Sequence, residues 1–249
     1  MRTCIFCAAK ADSREHIFAD WINELIAATQ FDALTVDIED GQIARSRSYP
    51  TKQAAGQRAK IVCEACNHGW MSDLEGEVKP ILSPLILGQA STLNTVQQLL
   101  AATWAVKTAM VGETIQYSRN TFSQDDRDLM LREQRPPLRA HVAVAAYALD
   151  APNATRYMRG LGEVRRDGAP LTDLYTHTIQ IAHLVLSIRG VTTLPASDNR
   201  SLENIAEPRH YEIPVFPPAE VCRWPPGLVM DEKALIEYSG GNNLRLSAG

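Results

Sequence analysis

CIFC at Cys4 to Cys7 and VCEACNHGWMSDLEGE at Val62 to Glu77 are the two stretches that decide the fold of this 249-residue chain. Each contains two cysteines separated by two residues, a spacing that brings two thiolates onto one metal ion without straining the backbone. Two such pairs supply the four sulfur ligands of a tetrahedral zinc site. The sequence therefore predicts a structural zinc ion bound by Cys4, Cys7, Cys63 and Cys66.

Two alternatives to a zinc site stay open for these cysteines, a thiol cluster without metal and a redox pair. Redox chemistry is the less favoured, because neither pair is followed by the long helix of a thioredoxin-like unit. The first residues lack the charged start and apolar run of a secretion signal, so we expect a cytoplasmic protein, in which metal is favoured over disulfides. Cys222 has no partner at this spacing and is expected to be a buried spectator.

Composition and charge bound the function only loosely. Apolar residues make up 45% and charged residues 22% of the chain, as in ordinary soluble proteins, and no apolar stretch is long enough to span a bilayer. The net charge of −4 does not indicate nucleic-acid binding. Residues 42–60, however, contain five basic residues and no acidic one, and this basic segment could neutralise phosphates or simply be a solvated loop. Its basic residues are Arg45, Arg47, Lys52, Arg58 and Lys60.

The first eighty residues predict short elements around the two cysteine pairs. Apolar residues at helical spacing predict a helix over residues 18–29, and alternation predicts a strand over residues 34–39 that ends in an Asp40-Gly41 turn. The basic segment is predicted to form a loop or an irregular strand. A short helix is expected to begin near Trp70 or Ser72.

The composition changes at Pro80 and Pro84, which predict a connector and divide the chain into residues 1–80 and residues 81–249. The second part is expected to be an α+β domain with its own core, serving recognition or dimerisation. Its predicted helices cover residues 94–111 and a segment opened by an N-cap at Ser123. Its predicted antiparallel strands cover residues 138–149, 154–164 and 175–189.

CIFC, REHIF at Arg14 to Phe18 and VCEACNHGWMSDLEGE together resemble HNH endonucleases of the cysteine-containing ββα-metal type. The resemblance is closest to the bacterial and phage branch whose second cysteine pair reads CxxCNxGWMSxLE. WAVKTAM at Trp104 to Met110 is also similar to the helix that follows the finger in that branch. The resemblance implies an α+β protein in which a zinc-clipped, treble-clef-like finger precedes a domain of helices and antiparallel sheet.

The resemblance also implies roles for individual residues. His16 would be the general base that takes a proton from the attacking water, since an imidazole titrates near neutrality. Glu15 would bind a single catalytic Mg²⁺ or Mn²⁺ ion, which stabilises charge on the phosphate. Asn67 would tie the two β-strands together and orient the ring of His16.

The third residue of the family motif, a His or Asn, is missing from this chain. Glu75 stands at that distance and is the expected second ligand of the catalytic ion, with Asp73 and His68 as neighbours that could substitute. Glu75 has an alternative role, because Ser72 and Glu75 also fit a helix capping box. The 51 positions from His16 to Asn67 exceed the family spacing, so an insertion is expected at about residues 18–60.

Three functions follow from these features. The first is a metal-dependent endonuclease or nickase that hydrolyses DNA, with duplex DNA as the expected substrate. A homodimer stays an open alternative, and no membrane partner is expected. The second is a non-catalytic zinc-finger protein that binds nucleic acid. The third is a structural zinc protein for which DNA is irrelevant. The motif is shared by homing, restriction, packaging and defence enzymes, so branched DNA and RNA stay open as substrates beside duplex DNA.

Overall fold

The computed structural model describes nine segments of the chain. They are residues 2–26, 31–39, 42–51, 58–115, 120–148, 155–166, 169–192, 210–240 and 247–248. Helices and strands are mixed along these segments, in agreement with the predicted α+β class. Within them we find no helix with the length and apolar character needed to cross a bilayer.

The N-terminal region contains two paired strands followed by a helix. Strand β1 (Ser13–His16) pairs antiparallel with β4 (Arg58–Val62), which leads into helix α2 (Glu64–Cys66). A π-helical turn, Asn67–Met71, joins α2 to α3 (Ser72–Ile86), and the axis kinks at this turn. The short helix expected near Trp70 is therefore the start of a 15-residue helix.

The segment between β1 and β4, for which the sequence predicted an insertion, contains helix α1 (Asp20–Leu25) and strands β2 (Phe31–Glu39) and β3 (Gln42–Thr51). Strands β2 and β3 pair antiparallel, whereas β2 pairs parallel with a strand far along the chain. The predicted strand over residues 34–39 is confirmed. The part of the basic segment at Gln42–Thr51 forms β3, so the strand alternative is confirmed there, while the expected Asp40-Gly41 turn lies outside the described residues.

The main sheet is built from strands of the second half of the chain together with β2 and β3. The later strands are β6 (Ala140–Tyr147), β7 (Thr155–Arg166), β8 (Ala169–Ile181), β9 (Leu184–Val191), β10 (Ile213–Phe216), β12 (Val229–Met230) and β13 (Ser247–Ala248). The strand order in the sheet is β10-β6-β9-β8-β7-β2-β3, with β12 beside β6 and β13 beside β7. Neighbouring strands from β10 to β7 are antiparallel, as predicted.

The prediction of a single strand over residues 175–189 is wrong. The chain reverses at Ala182, which has a positive φ of 49°, and β8 returns as β9. Nearly every side chain in this region is buried, so the apolar pattern continues through the reversal without interruption. Predicted strands at residues 138–149 and 154–164 are confirmed as β6 and β7.

The predicted N-cap at Ser123 is confirmed, and Asn94, the first residue of the predicted helix over residues 94–111, is also an N-cap. Helix α4 (Thr95–Gly112) begins after Asn94, and α5 (Gln124–Glu133) begins after Ser123, each with a complete capping box. The remaining elements are α6 (Glu232–Gly240) and a two-stranded sheet of β5 (Ser91–Leu93) and β11 (Cys222–Trp224).

Pro80 and Pro84 lie inside α3, so the predicted connector is wrong. A proline inside a helix removes a backbone hydrogen bond and costs about 3 kcal/mol. Helix α3 buries six apolar side chains, each worth roughly 1.5–3 kcal/mol, which outweighs that cost. They are Leu74, Val78, Ile81, Leu82, Leu85 and Ile86.

The hydrophobic core runs continuously from the cysteine-rich region to the sheet. Helix α4 connects the two, because it contacts α3 as well as strands β6, β8, β9 and β10. Most of its side chains beyond Leu100 are buried, including Trp104. The described residues of both halves thus share one large cluster, where the sequence predicted a separate core for the second part. The division at residues 80 and 81 stays a prediction.

Candidate functional site

The four predicted zinc ligands converge. The Sγ atoms of Cys4, Cys7, Cys63 and Cys66 all lie within 4.8 Å of one another, and all four cysteines are free thiols. Zinc–sulfur bonds of about 2.3 Å in a tetrahedron would place the sulfurs about 3.8 Å apart. The cluster therefore fits one zinc ion, and the predicted structural zinc site has the donor set it requires.

Backbone contacts bring the two cysteine pairs together. The Ile5 N–H donates to the Ile61 carbonyl at 2.9 Å, which fixes the first pair beside the end of β4. The rings of Phe6 and Trp70 meet edge to face with centroids 5.0 Å apart. Burial raises the pKa of the Cys66 thiol, so zinc binding would displace a proton from it.

Asn67 holds the turn after the second cysteine pair against β1. Its Nδ2 donates to Ser13 Oγ at 2.7 Å, and its backbone N–H donates to the Cys63 carbonyl at 3.0 Å. The amide was predicted to tie the two β-strands together. The observed bond instead joins β1 to the helical segment that follows β4, three positions before His16 on the same strand.

His16 lies at the end of β1, opposite Arg58 of β4. Its Nε2 lies 3.4 Å from Asp20 Oδ1, a contact that is not a hydrogen bond. The Nε2 atom has no hydrogen-bond partner among the described residues. Burial lowers the pKa of His16, Arg58 lowers it further, and the carboxylates of Asp20, Glu15 and Glu75 oppose the shift. The net pKa lies below its ordinary value, so the ring is neutral at pH 7 and can accept a proton.

Glu15 and Glu75 are brought together by a residue that the sequence analysis did not select. Lys107 Nζ lies 3.1 Å from Glu15 Oε1 and 2.8 Å from Glu75 Oε1. The three residues come from β1, α3 and α4. The capping-box role considered for Glu75 is wrong, because Ser72 has helical dihedrals and caps nothing, while the Glu75 carboxylate accepts from Lys107.

The ammonium group of Lys107 is charged although its side chain is only 1% exposed. Burial alone would lower the pKa of Lys107, but Glu15 and Glu75 outweigh burial and hold that pKa above its ordinary value. A sequence signal for this contact exists. Lys107 is the one charged residue of the 18-residue helix α4, and a lysine in so apolar a helix requires a carboxylate partner.

The remaining predicted site residues lie on other parts of the fold. His68 lies in the π-helical turn and Asp73 in the first turn of α3. Arg58 and Lys60 are exposed on β4. Arg45 and Arg47 lie in β3, and Lys52 lies outside the described residues.

Comparison with known proteins adds no assignment. No protein-family model matches the chain, and no curated protein or solved structure matches it significantly. The site is therefore characterised by its own geometry. Beside a four-cysteine cluster that could hold a metal ion, it combines a neutral imidazole, a pair of carboxylates with a buried ammonium, and an amide that anchors the strand carrying the imidazole.

Proposed function

We propose that this protein is a nucleic-acid phosphodiester hydrolase of the HNH endonuclease type, with His16 as the general base. The observation that carries the proposal is the convergence on one strand–strand–helix unit of the four cysteines and the proposed active-site residues. Those residues are His16, Glu15, Asn67 and Glu75. Duplex DNA is the proposed substrate, and a reducing cytoplasm, in which thiolates stay available for zinc, is the proposed compartment.

The state of His16 supports its role as a base. A neutral ring can take a proton from water as the water attacks a phosphate. The Nε2 atom is buried and has no hydrogen-bond partner among the described residues, so the proposal requires that water reaches it when substrate is bound. The Asn67–Ser13 bond holds the strand on which the ring sits. Arg58, opposite His16, is a candidate phosphate contact because its side chain is exposed.

Two kinds of metal ion belong to the proposal. Structural zinc would be held by the four cysteines. A catalytic Mg²⁺ or Mn²⁺ would be held by Glu15 and Glu75, and when bound it would act as a Lewis acid on the phosphate. Carboxylate oxygens are suitable donors for these hard cations, and with Lys107 between them the pair keeps a net negative charge.

The test is cleavage of supercoiled plasmid by zinc-loaded protein, with Mg²⁺, Mn²⁺, Co²⁺ and Ca²⁺ in parallel. Wild-type protein is expected to nick or linearise the plasmid, and His16→Ala is expected to lose about a hundredfold or more in rate. His210→Ala, at an exposed histidine, is the matched control and should cut normally. A His16→Ala protein that retains zinc and cuts as fast as wild type would refute the assignment of the base.

A non-catalytic zinc-finger protein that binds nucleic acid is the second candidate. The position of Lys107 favours it, because the ammonium already neutralises part of the charge that a catalytic ion would neutralise. This candidate predicts a gel shift with duplex DNA and no cleavage with any of the four ions. Single-stranded DNA and RNA belong in the same assays, since the fold of the finger does not choose among these substrates.

A further inference from the structure

Lys107 occupies the point at which the two predicted ion ligands meet. Its Nζ contacts the Oε1 atoms of both Glu15 and Glu75, at 3.1 and 2.8 Å. The 2.8 Å distance to Glu75 is that of a charge-assisted hydrogen bond, which is about twice as strong as a neutral one, and the contact with Glu15 is longer. The two carboxylates therefore converge on the ammonium group of the lysine.

We infer that Lys107 is the resident cation of the Glu15–Glu75 pair, and that a divalent ion binds these carboxylates in competition with its ammonium group. The inference rests on the proposed function, because that proposal assigns the two carboxylates to an ion. The inference adds one constraint to the proposed function: the ammonium group of Lys107 competes with the divalent ion for the two carboxylates.

The competition follows from distance and burial. An ion coordinated by the same two Oε1 atoms at about 2.1 Å would lie within about 5 Å of Nζ, where like charges in a low-dielectric site repel strongly. Glu15 and Lys107 are 6% and 1% exposed, so water cannot screen this repulsion efficiently. The lysine therefore lowers the affinity of the pair for a divalent ion.

The same residue offsets the repulsion between the two carboxylates when no divalent ion is bound. Two carboxylates of which one is nearly buried would repel each other if no cation lay between them. The Glu75 side chain is 25% exposed, whereas Lys107 is 1% exposed. Solvent thus reaches the pair through Glu75, and an ion can approach the carboxylates without passing the lysine.

The experiment measures Mn²⁺ binding to the zinc-loaded full-length protein, by electron paramagnetic resonance of free Mn²⁺, without nucleic acid. Lys107→Met removes the charge and keeps most of the side-chain volume. It is expected to bind Mn²⁺ about tenfold or more tightly than wild type, and Mn²⁺ should raise its melting temperature more than that of wild type. Lys79→Met removes a half-exposed lysine of α3 that pairs with Glu24, and it should bind Mn²⁺ like wild type.

Two further variants keep the test decisive. If the methionine variant does not fold, Lys107→Gln removes the charge and retains a hydrogen-bond donor, with the same expected gain. Adding Glu75→Gln to Lys107→Met should abolish the gain, which locates the ion on the carboxylate pair. Affinity that is unchanged or weaker in both charge-removing variants would overturn the inference. Tight Mn²⁺ binding by Lys107→Met together with no plasmid cleavage by wild type would support it while refuting the nuclease.

Discussion

Asn67 Nδ2 and Ser13 Oγ form a 2.7 Å hydrogen bond between residues 54 positions apart. This bond joins the strand that carries Glu15 and His16 to the segment that follows Cys66. It is one link between the four-cysteine cluster and the candidate active site, because Asn67 follows Cys66 and Ser13 lies three residues before the proposed base.

Replacing Asn67 with Ala should therefore loosen β1 without removing the zinc. The partly buried Ser13 hydroxyl would lose its partner, and we expect a loss of about 1–2 kcal/mol in the free energy of unfolding. Urea denaturation of zinc-loaded protein measures this loss. Asn67→Ala combined with Ser13→Ala should cost less than the two single losses added together, and strict additivity would contradict the coupling.

Zinc content is expected to depend on each of the four clustered cysteines and not on the fifth. Cys63→Ser should lower the bound zinc to below about half an equivalent and make the N-terminal region sensitive to proteolysis, because zinc binding contributes to folding. Elemental analysis of purified protein gives the stoichiometry. Cys222→Ala is the matched control at a buried cysteine outside the cluster and should keep one equivalent.

A buried ion pair between Glu113 and Arg127 stabilises the junction of α4 and α5. Both side chains are almost fully buried, and Glu113 also accepts hydrogen bonds from the backbone and the hydroxyl of Thr121. Arg127→Met should lower the free energy of unfolding by about 3–5 kcal/mol, since it leaves a buried carboxylate without its partner. Adding Glu113→Gln should recover part of this loss.

The control for that measurement is an exposed pair. Glu133→Gln breaks the contact with Arg135, in which the two side chains are 44% and 31% exposed, and should change the stability by less than about 1 kcal/mol. A small effect of Arg127→Met, similar to that of Glu133→Gln, would show that solvent reaches the buried pair.

Stability should fall as the pH falls below about 6.5, and His177 should account for part of the fall. Burial, and then the charge of Arg159, hold the pKa of His177 well below its ordinary value. The unfolded chain therefore takes up this proton first. Between the unfolded and the folded pKa the protein loses up to about 1.4 kcal/mol per pH unit from this residue.

His177→Gln should show a shallower dependence of stability on pH than wild type between pH 7 and pH 5, whatever its stability at pH 7. Urea denaturation at several pH values gives both slopes. Protonation of the zinc-binding thiolates affects the two proteins equally, so the difference between the slopes isolates the histidine. Identical slopes would mean that His177 is protonated in the folded state as readily as in the unfolded chain.

The exposed basic residues of β4 provide a test of nucleic-acid contact. Arg58→Ala with Lys60→Ala should weaken duplex DNA binding about tenfold at physiological salt and reduce the slope of log affinity against log salt by about two. Arg223→Ala with Lys233→Ala removes two exposed basic residues from β11 and α6 and is the matched control. Equal effects of the two double variants would indicate a response to net charge alone.

Local patterns account for what the sequence predicts correctly. Cysteine spacing predicts the four-cysteine cluster, and a side chain that caps a helix predicts the start of α5 at Ser123. Each cysteine pair and the cap depend on residues within a few positions of one another. The prediction of a single strand over residues 175–189 fails for a related reason, since the reversal at Ala182 carries no Gly, Pro or Asn that would mark a turn.

The features that the sequence does not predict depend on contacts between distant residues. Lys107 lies 92 positions from Glu15 and 32 from Glu75, and only the packing of α4 against the N-terminal region brings them together. Pro80 and Pro84 are tolerated in α3 because of what that helix buries, which local propensity does not contain. The parallel pairing of β2 with β7 is likewise set by the whole fold.

That parallel pairing has a consequence for biosynthesis. Strand β2 is synthesised more than a hundred residues before its neighbour β7 (Thr155–Arg166). Until then the hairpin of β2 and β3 presents an open hydrogen-bonding edge to other nascent chains. A fragment that stops at residue 80 would keep Cys4, Cys7, Cys63, Cys66 and His16 but would expose the β2 edge that β7 covers, and we expect it to aggregate.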